Sequence, residues 1–243
     1  MLLVGGAMKF NAYIDGFNLY KGALQKRPDL KWLDLRTLAQ NLWQEHELEK
    51  VYFFTSRVKE KFPGDLAPRR QHAYLRALEG ARVEVVLGKF RKDITWQRMT
   101  SQFHAISIRP TLSDPTFRVQ ESFDNSALKA HPDDIKALVW KYGEKGTDVN
   151  LASYLIRAAH IASEIGSLVV TGDSDLMTPI KIARECGVVV KTVNPNRGSN
   201  VIELAENSDF HKEMTVKELR TSQLNSFVYG LNGKRILRPK TWQ

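Results

Sequence analysis

The segment 167–193 constrains the fold most strongly, because it contains a complete strand, helix and strand pattern. An apolar run at 167–171 is followed by a polar Gly-Asp-Ser-Asp turn at 172–175 and by a helical pattern that stops at Gly187, before a second β-prone run at 188–193. Glycine is a common helix terminator. Two strands joined through a helix lie parallel in one sheet. The segment therefore predicts an α/β domain.

The first 90 residues continue the same alternation. Apolar, β-prone runs at 10–14, 51–55 and 83–87 are separated by segments with helical spacing of apolar residues at 32–46 and 66–79. Runs of this length predict strands, and the spacing between them predicts helices. Regular alternation of strand and helix is typical of a mostly parallel sheet covered by helices.

The remaining segments interrupt this rhythm and define the predicted domain organisation. Residues 89–143 mix basic, hydroxyl and aromatic side chains and predict an insertion, with a hairpin at the β-prone runs 103–108 and 116–119. The predicted parts are an N-terminal extension at 1–8, a domain at 9–210 that carries the insertion at about 89–143, and a basic C-terminal tail at 211–243.

Acidic side chains follow or precede the predicted strands at one edge of the sheet. Asp15 follows the first strand, and Asp173 with Asp175 follows the strand at 167–171. Asp148 opens a predicted helix that leads into that strand, and a crossover helix begins at the edge where parallel strands end. Ligands of open α/β sheets bind along this edge, where the strand order reverses. We expect the four carboxylates, with Asn18, to face one small volume.

Such a group of carboxylates predicts a metal centre. Each aspartate alone is as readily explained as a helix cap or a turn former, but four together repel one another and must bind protons or a cation. Oxygen ligands without His or Cys favour Mg²⁺ or Mn²⁺ over zinc. The predicted metal ligands are Asp15, Asp148, Asp173 and Asp175.

The charge distribution predicts a polyanionic partner. The net charge is +9 and the isoelectric point is about 9.6. Residues 57–98 hold 11 basic and 5 acidic side chains, and residues 211–243 hold 7 and 2. Basic flanks around an acidic centre suit phosphate binding next to a cation. An ordinary solvated surface is the alternative.

The cysteine content and the absence of long apolar runs predict a cytoplasmic protein. Cys186 is the one cysteine, which excludes an internal disulfide and fits a reducing compartment. The opening residues lack a basic start, and no apolar run approaches the ~20 residues that a membrane span needs. The sequence leaves the oligomeric state open, a homodimer included.

Three motifs together resemble the NYN domain family, a branch of the PIN-like nucleases. They are Ile-Asp-Gly-Phe-Asn-Leu at 14–19, Glu-Lys-Gly-Thr-Asp-Val at 144–149 and Thr-Gly-Asp-Ser-Asp-Leu at 171–176. Their order matches that of the family, and the resemblance covers about residues 9–210. Ser199 and Asp209 occupy a weaker distal motif, and for Asp209 we expect a structural role.

The resemblance implies a three-layer α/β/α fold and metal-dependent hydrolysis of RNA by a ribonuclease. It implies that Asp15 and Asp173 are principal ligands of Mg²⁺ or Mn²⁺, that Asp148 and Asp175 are further ligands, and that Asn18 positions water or phosphate. A bound cation would activate a water molecule for attack on phosphorus. The catalytic set would then be Asp15, Asn18, Asp148, Asp173 and Asp175.

Residues around the predicted catalytic set suggest how RNA would bind. Single-stranded RNA is the expected partner, because aromatic residues of the insertion, such as Trp96 and Phe103, can stack on unpaired bases. Core packing is the alternative for each aromatic. The predicted substrate-binding residues are Lys21, Lys145, Thr171, Ser174, Arg197 and Ser199.

Other functions place related residues differently. A haloacid dehalogenase phosphatase needs a second Asp at position 17, which is Phe17, and a topoisomerase-primase domain needs Glu at position 15, which is Asp15. A flap-type DNA nuclease remains open, because the same metals hydrolyse DNA. So does a non-catalytic RNA-binding or regulatory protein, although intact carboxylates would repel a phosphate ligand unless a metal intervened.

Overall fold

A computed structural model of the chain describes residues 6–98, 136–161, 165–198 and 202–242. Contacts between residues divide the chain into two compact units. The first comprises Met1–Lys89 and Glu144–Gln243, and the second is Phe90–Gly143.

Strands and helices alternate through most of the first unit. Over both units, the described strands are β1 (Lys9–Asp15), β2 (Glu47–Thr55), β3 (Glu84–Leu87), β4 (Lys89–Arg98), β5 (Lys136–Lys145), β6 (Gly166–Val170), β7 (Val190–Asn194), β8 (Phe210–Glu213), β9 (Phe227–Tyr229) and β10 (Arg235–Leu237). The α-helices are α1 (Gly16–Leu19), α2 (Leu35–Leu42), α3 (Ala67–Gly80), α4 (Thr147–Ile161), α5 (Met177–Glu185), α6 (Ile202–Glu206) and α7 (Val216–Thr221). A π-helical turn occupies Tyr20–Leu24, and 3-10 turns occupy Pro28–Leu30, Ser174–Leu176 and Lys240–Trp242.

Six strands form the central sheet in the order β3-β2-β1-β6-β7-β8. All five neighbouring pairs are parallel, as the sequence predicts. The chain leaves β1 toward β2 on one side, and β6 lies on the other side of β1. The strand order therefore reverses between β1 and β6, which is where open parallel sheets open a crevice for ligands.

Both faces of the sheet are buried, which makes the fold a three-layer α/β/α arrangement. Successive side chains of a strand point to opposite faces, and β1 illustrates this. Phe10, Ala12 and Ile14 belong to the cluster that includes α2 and α3. Tyr13 belongs to the other cluster, which includes the buried faces of α4 and α5. The predicted three-layer fold is confirmed.

The segment predicted as a basic tail, 211–243, is part of the first unit. Strand β8 is the sixth strand of the central sheet. The Trp32 indole nitrogen donates to the Asn225 carbonyl at 2.7 Å. Strands β9 and β10 form a second, two-stranded antiparallel sheet. A side chain at Gly80 would collide with the Tyr229 carbonyl oxygen, so α3 lies directly against this sheet. The sequence analysis did not predict β8, α7, β9 and β10, because each is only three to six residues long.

The second unit is described only at its two ends. β4 and β5 form a two-stranded sheet, and a strand at residues 136–145 was not anticipated by the sequence analysis. The predicted hairpin at 103–108 and 116–119 lies outside the described residues.

Within the described ranges, no helix is long and apolar enough to cross a membrane.

Candidate functional site at the carboxyl edge of the sheet

Asp15 is the buried centre of the carboxyl edge. It is the last residue of β1 and is 1% exposed. Its side chain caps α1, because the Asn18 backbone amide donates to Oδ1 at 2.9 Å. The Asn18 side-chain amide donates to Oδ2 at 2.6 Å. Burial raises the pKa of Asp15, the Asn18 donors lower it, and the nearby Asp173 raises it. The Asn18 donors hold the Asp15 carboxyl group in one orientation at the carboxyl edge.

Thr171 connects Asp15 to the loop that follows β6. The Thr171 hydroxyl donates to Asp15 Oδ2 at 3.1 Å, and the Asp173 backbone amide donates to the Thr171 oxygen at 3.1 Å. Thr171 is fully buried. Its hydroxyl is therefore engaged by Asp15 and the Asp173 amide, and its role in substrate binding stays a prediction. It positions Asp15 beside the loop.

Asp173 and Asp175 belong to one 3-10 turn. The Asp173 side chain accepts the Asp175 backbone amide at 3.0 Å and so caps the turn Ser174–Leu176. Asp173 is half-buried, whereas Ser174 and Asp175 are exposed. The cap fixes the Asp173 side chain at the start of this turn.

Asp148 lies in the first turn of α4. Gly146, with a φ of +85°, makes the turn from β5 into this helix, a conformation that glycine adopts without strain. The residue as a whole is exposed, but neighbouring side chains partly desolvate its carboxyl. This desolvation, followed by repulsion from Asp15, Asp173 and Asp175, raises the pKa of Asp148 to about 6. The four predicted carboxylates therefore interact electrostatically.

Glu144 is a fifth carboxylate that the sequence analysis missed. It lies near the end of β5, where its Oε1 accepts the Thr147 hydroxyl at 2.5 Å. Burial raises its pKa, as do the charges of Asp15 and Asp148, while the hydroxyls of Thr147 and Ser56 lower it. The sequence held a signal, because Glu144 opens the same motif that contains Asp148. Without the strand β5, nothing indicated that its side chain joins the edge.

The mutual placement of the carboxylate side chains bears on whether they form a set of metal ligands. Across the described ranges, no group of three or more His, Cys, Asp and Glu side chains is placed to hold a metal ion. Asp15, Asp173 and Asp175 act on Asp148 through their charges. Binding of Mg²⁺ or Mn²⁺ by Asp15, Asp148, Asp173 and Asp175 therefore stays a prediction.

The other predicted substrate-binding residues are spread along the surface. Lys21 and Lys145 are exposed, and the Lys21 ammonium lies 5.6 Å from the centre of the Phe17 ring. Arg197 forms an exposed ion pair with Glu213 at 3.6 Å. Such pairs contribute little and leave the side chain adaptable.

Three further residues predicted to contact RNA are Ser199, Phe103 and Trp96. Ser199 and Phe103 lie outside the described residues. Trp96 belongs to the second unit, and 47% of the residue is exposed.

Asp209 has the structural role that we expected. Its Oδ1 forms an ion pair with Arg184 at 2.8 Å, and its Oδ2 accepts the Val190 backbone amide at 2.8 Å. Val190 begins β7, so Asp209 acts at the amino edge of the sheet. It does not belong to the acidic group.

Comparison with known proteins gives a named relative and a similar solved structure. No family model matches the sequence. The chain is 26% identical to 6-hydroxy-3-succinoylpyridine 3-monooxygenase HspA of Pseudomonas putida, over an alignment of 262 positions that covers 97% of this chain and 75% of that protein. A crystal structure of a protein of unknown function from Vibrio parahaemolyticus matches with a TM-score of 0.44 and 13% identity, covering 92% of this chain and 100% of that one.

This relative contradicts the function expected from the sequence. A monooxygenase is an oxidoreductase, whereas the expected ribonuclease is a hydrolase, and the alternatives of a flap-type nuclease or a non-catalytic RNA-binding protein fail on the same ground. The resemblance to NYN domains stays a prediction, as do RNA as a partner and a homodimer. Acidic residues at the switch point of an α/β sheet define a site but not its chemistry.

Proposed function

We propose that this chain is an oxidoreductase of the monooxygenase type, acting at the acidic edge on an aromatic ring that carries a hydroxyl group. The similarity to HspA carries the proposal, because it extends over 97% of the chain and three quarters of the relative. It therefore includes the acidic edge. A cytoplasmic location is part of the proposal.

The proposed reaction requires two co-substrates besides the aromatic ring. One atom of O₂ enters the ring as a hydroxyl group and the other leaves as water. At an unsubstituted ring carbon the entering hydroxyl group replaces a hydrogen, and the two electrons that balance the reaction come from a reduced nicotinamide or a reduced flavin. Such cofactors supply the redox chemistry, while the protein binds and orients the reactants and controls protonation.

Asp148 is the proposed base that removes the proton of the ring hydroxyl. Loss of this proton raises the electron density at neighbouring ring carbons, where an electrophilic oxygen adds. A carboxyl with a pKa of about 6 accepts a proton at neutral pH more readily than an ordinary aspartate does. Proton uptake also relieves the repulsion from Asp15, Asp173 and Asp175. The negative charge moves from the crowded carboxylates to a delocalised ring.

Other residues of the carboxyl edge orient Asp15 and the aromatic ring of the substrate. Asn18 and Thr171 hold Asp15 in place, so that its charge acts on Asp148 from a fixed position. Phe17, between Asp15 and Asn18 in the chain, is 50% exposed and offers a face on which an aromatic ring can stack.

The test is incorporation of oxygen from ¹⁸O₂. The purified chain is incubated with 6-hydroxy-3-succinoylpyridine, and separately with 2-hydroxypyridine, in the presence of NADH with and without FAD. Product analysis by mass spectrometry should show one ¹⁸O atom, together with O₂-dependent oxidation of NADH. Asp148→Asn should lose most of the turnover, whereas Glu203→Gln, which changes an exposed carboxylate in the first turn of α6, should not.

An absence of labelled product with both ring compounds and both electron donors would contradict the proposal. Equal turnover in Asp148→Asn and in the parent chain would be compatible with the reaction but would show that Asp148 is not its base.

A further inference from the structure

An open pocket of about 370 Å³ lies at the start of α3, outside the acidic group. Its walls come from the chain that follows β2 and from one side of α3. Apolar surface is provided by Val58 and Leu75, and charged or polar surface by Arg57, Arg69, Gln71 and His72. A pocket with both kinds of lining suits a ligand that has a short aliphatic part and a charged end.

The positive charge of the pocket is available to a ligand. Arg57, Arg69 and His72 are all exposed. Within the described part of the chain, neither arginine forms an ion pair or a side-chain hydrogen bond. Arg69 and His72 are three residues apart on α3 and therefore lie on the same side of the helix. Two arginines with unused donors form a natural site for a carboxylate.

Gln71 fixes the two walls of the pocket relative to each other. Its Oε1 accepts the Val58 backbone amide at 2.9 Å, and its Nε2 donates to the Ser56 carbonyl at 2.8 Å. Arg57 lies between these two tethered residues. Its backbone is therefore held across from α3 before any ligand binds, which reduces the conformational freedom lost on binding.

The amino end of α3 does not itself offer an anion site. The Asp65 carboxylate accepts the Ala67 backbone amide at 2.8 Å and the Lys61 backbone amide at 3.3 Å. A buried carboxylate already occupies this helix terminus. It disfavours a highly charged pyrophosphate, which would require free backbone amides. The pocket thus favours a singly charged carboxylate bound by side chains.

Ser56 connects the pocket to the acidic edge. It follows β2, whose Phe54 is paired with Asp15 in the sheet. The Ser56 hydroxyl lowers the pKa of Glu144, while its carbonyl accepts Gln71. The pocket and the acidic group therefore lie along the same edge of the sheet, with opposite charges. A molecule with a proton-donating ring and a carboxylate side chain has groups complementary to both.

We propose that the pocket between Arg57 and Arg69 binds the carboxylate side chain of the aromatic substrate, and so selects hydroxylated rings that carry such a chain. This inference rests on the proposed function for the identity of the ring. The succinoyl group in the name of the Pseudomonas relative is a side chain of this chemistry.

The test compares the binding of 6-hydroxy-3-succinoylpyridine, its methyl ester and NADH to the full chain by isothermal titration calorimetry. Arg57→Gln and Arg69→Gln should each weaken binding of the acid about tenfold or more, as expected for the loss of a charge-assisted contact. Binding of the ester, which lacks the charge, should be weak and unchanged. Arg220→Gln, which removes an exposed arginine from α7, should leave all three affinities unchanged.

The inference is overturned if the acid does not bind the parent chain. It is also overturned if the arginine variants lose affinity for the acid and the ester equally, or lose affinity for NADH alone. Calorimetry does not require turnover, so arginine-dependent binding of the acid without oxygen incorporation would refute only the proposed monooxygenase reaction. Oxygen incorporation with unchanged binding in both arginine variants would refute only the pocket.

Discussion

Replacing Asp148 by asparagine should stabilise the protein at neutral pH, and the gain should disappear in acid. In the folded chain the pKa of Asp148 is raised from 3.8 to about 6, so folding disfavours the ionised form. Between these two values the folded state binds more protons than the unfolded state. Stability therefore falls as the pH rises through this interval, and above pH 6 the whole penalty is present. Asparagine avoids it, since it carries no charge.

The size of the gain follows from the pKa shift after two corrections. The shift corresponds to about 3 kcal/mol if taken in full, but Asp148 is exposed, so solvent screening reduces this to about 1–2 kcal/mol. A negative charge in the first turn of α4 also interacts favourably with the helix dipole, by about 0.3–1 kcal/mol, and asparagine loses that interaction. We expect a net gain of about 1 kcal/mol at pH 7.5.

Urea unfolding followed by tryptophan fluorescence measures this difference. The parent chain and Asp148→Asn are compared at pH 4 and pH 7.5 in EDTA, which keeps divalent cations from neutralising the acidic group. Glu203→Gln is the matched control, because it also removes a carboxylate from the first turn of a helix. The reasoning is refuted if Asp148→Asn is no more stable than this control at pH 7.5, or if its gain is as large at pH 4.

Two further predictions concern the same edge. If Mg²⁺ or Mn²⁺ binds there, a concentration 100 times the dissociation constant should stabilise the fold by about 2.7 kcal/mol, seen as a rise in melting temperature that Asp173→Asn abolishes; no rise with millimolar metal would contradict it. Thr171→Val should destabilise the protein by about 1–3 kcal/mol, because a buried carboxylate loses a donor, and should raise the pKa of Asp15 further. Urea unfolding checks this, with Thr171→Ser as the variant that retains the hydroxyl and should stay close to the parent.

The location of the acidic edge could be predicted because it depends on rules that hold for all parallel sheets. Asp15 and Asp173 each follow a strand, and the carboxyl ends of neighbouring parallel strands meet at one edge. Strands β1 and β6 are such neighbours. Asp148 could be assigned to the same edge because a crossover helix begins where parallel strands end. Periodicity and turn residues were sufficient for these inferences.

Other parts of the site depend on contacts that local sequence does not reveal. Glu144 joins the edge through β5, whose neighbours in sequence show no clear pattern. Thr171 resembles a free hydroxyl beside an acidic motif until its distance to Asp15 is known. The pocket beside Ser56 exists because Gln71 reaches across from α3. Each of these side chains acquires its role from a partner distant in the chain.

The identity of the reaction was less predictable than the location of the site, and the reason is physical. A group of carboxylates creates a strong negative potential at a crevice, and such a potential has two principal consequences. It can concentrate a cation, or it can raise the pKa of one member until that member exchanges protons near neutral pH. The sequence specifies the carboxylates but not the distances that decide between these outcomes. The raised pKa of Asp148 is the property on which the proposed proton transfer depends, whereas cation binding stays a prediction that the metal titration tests.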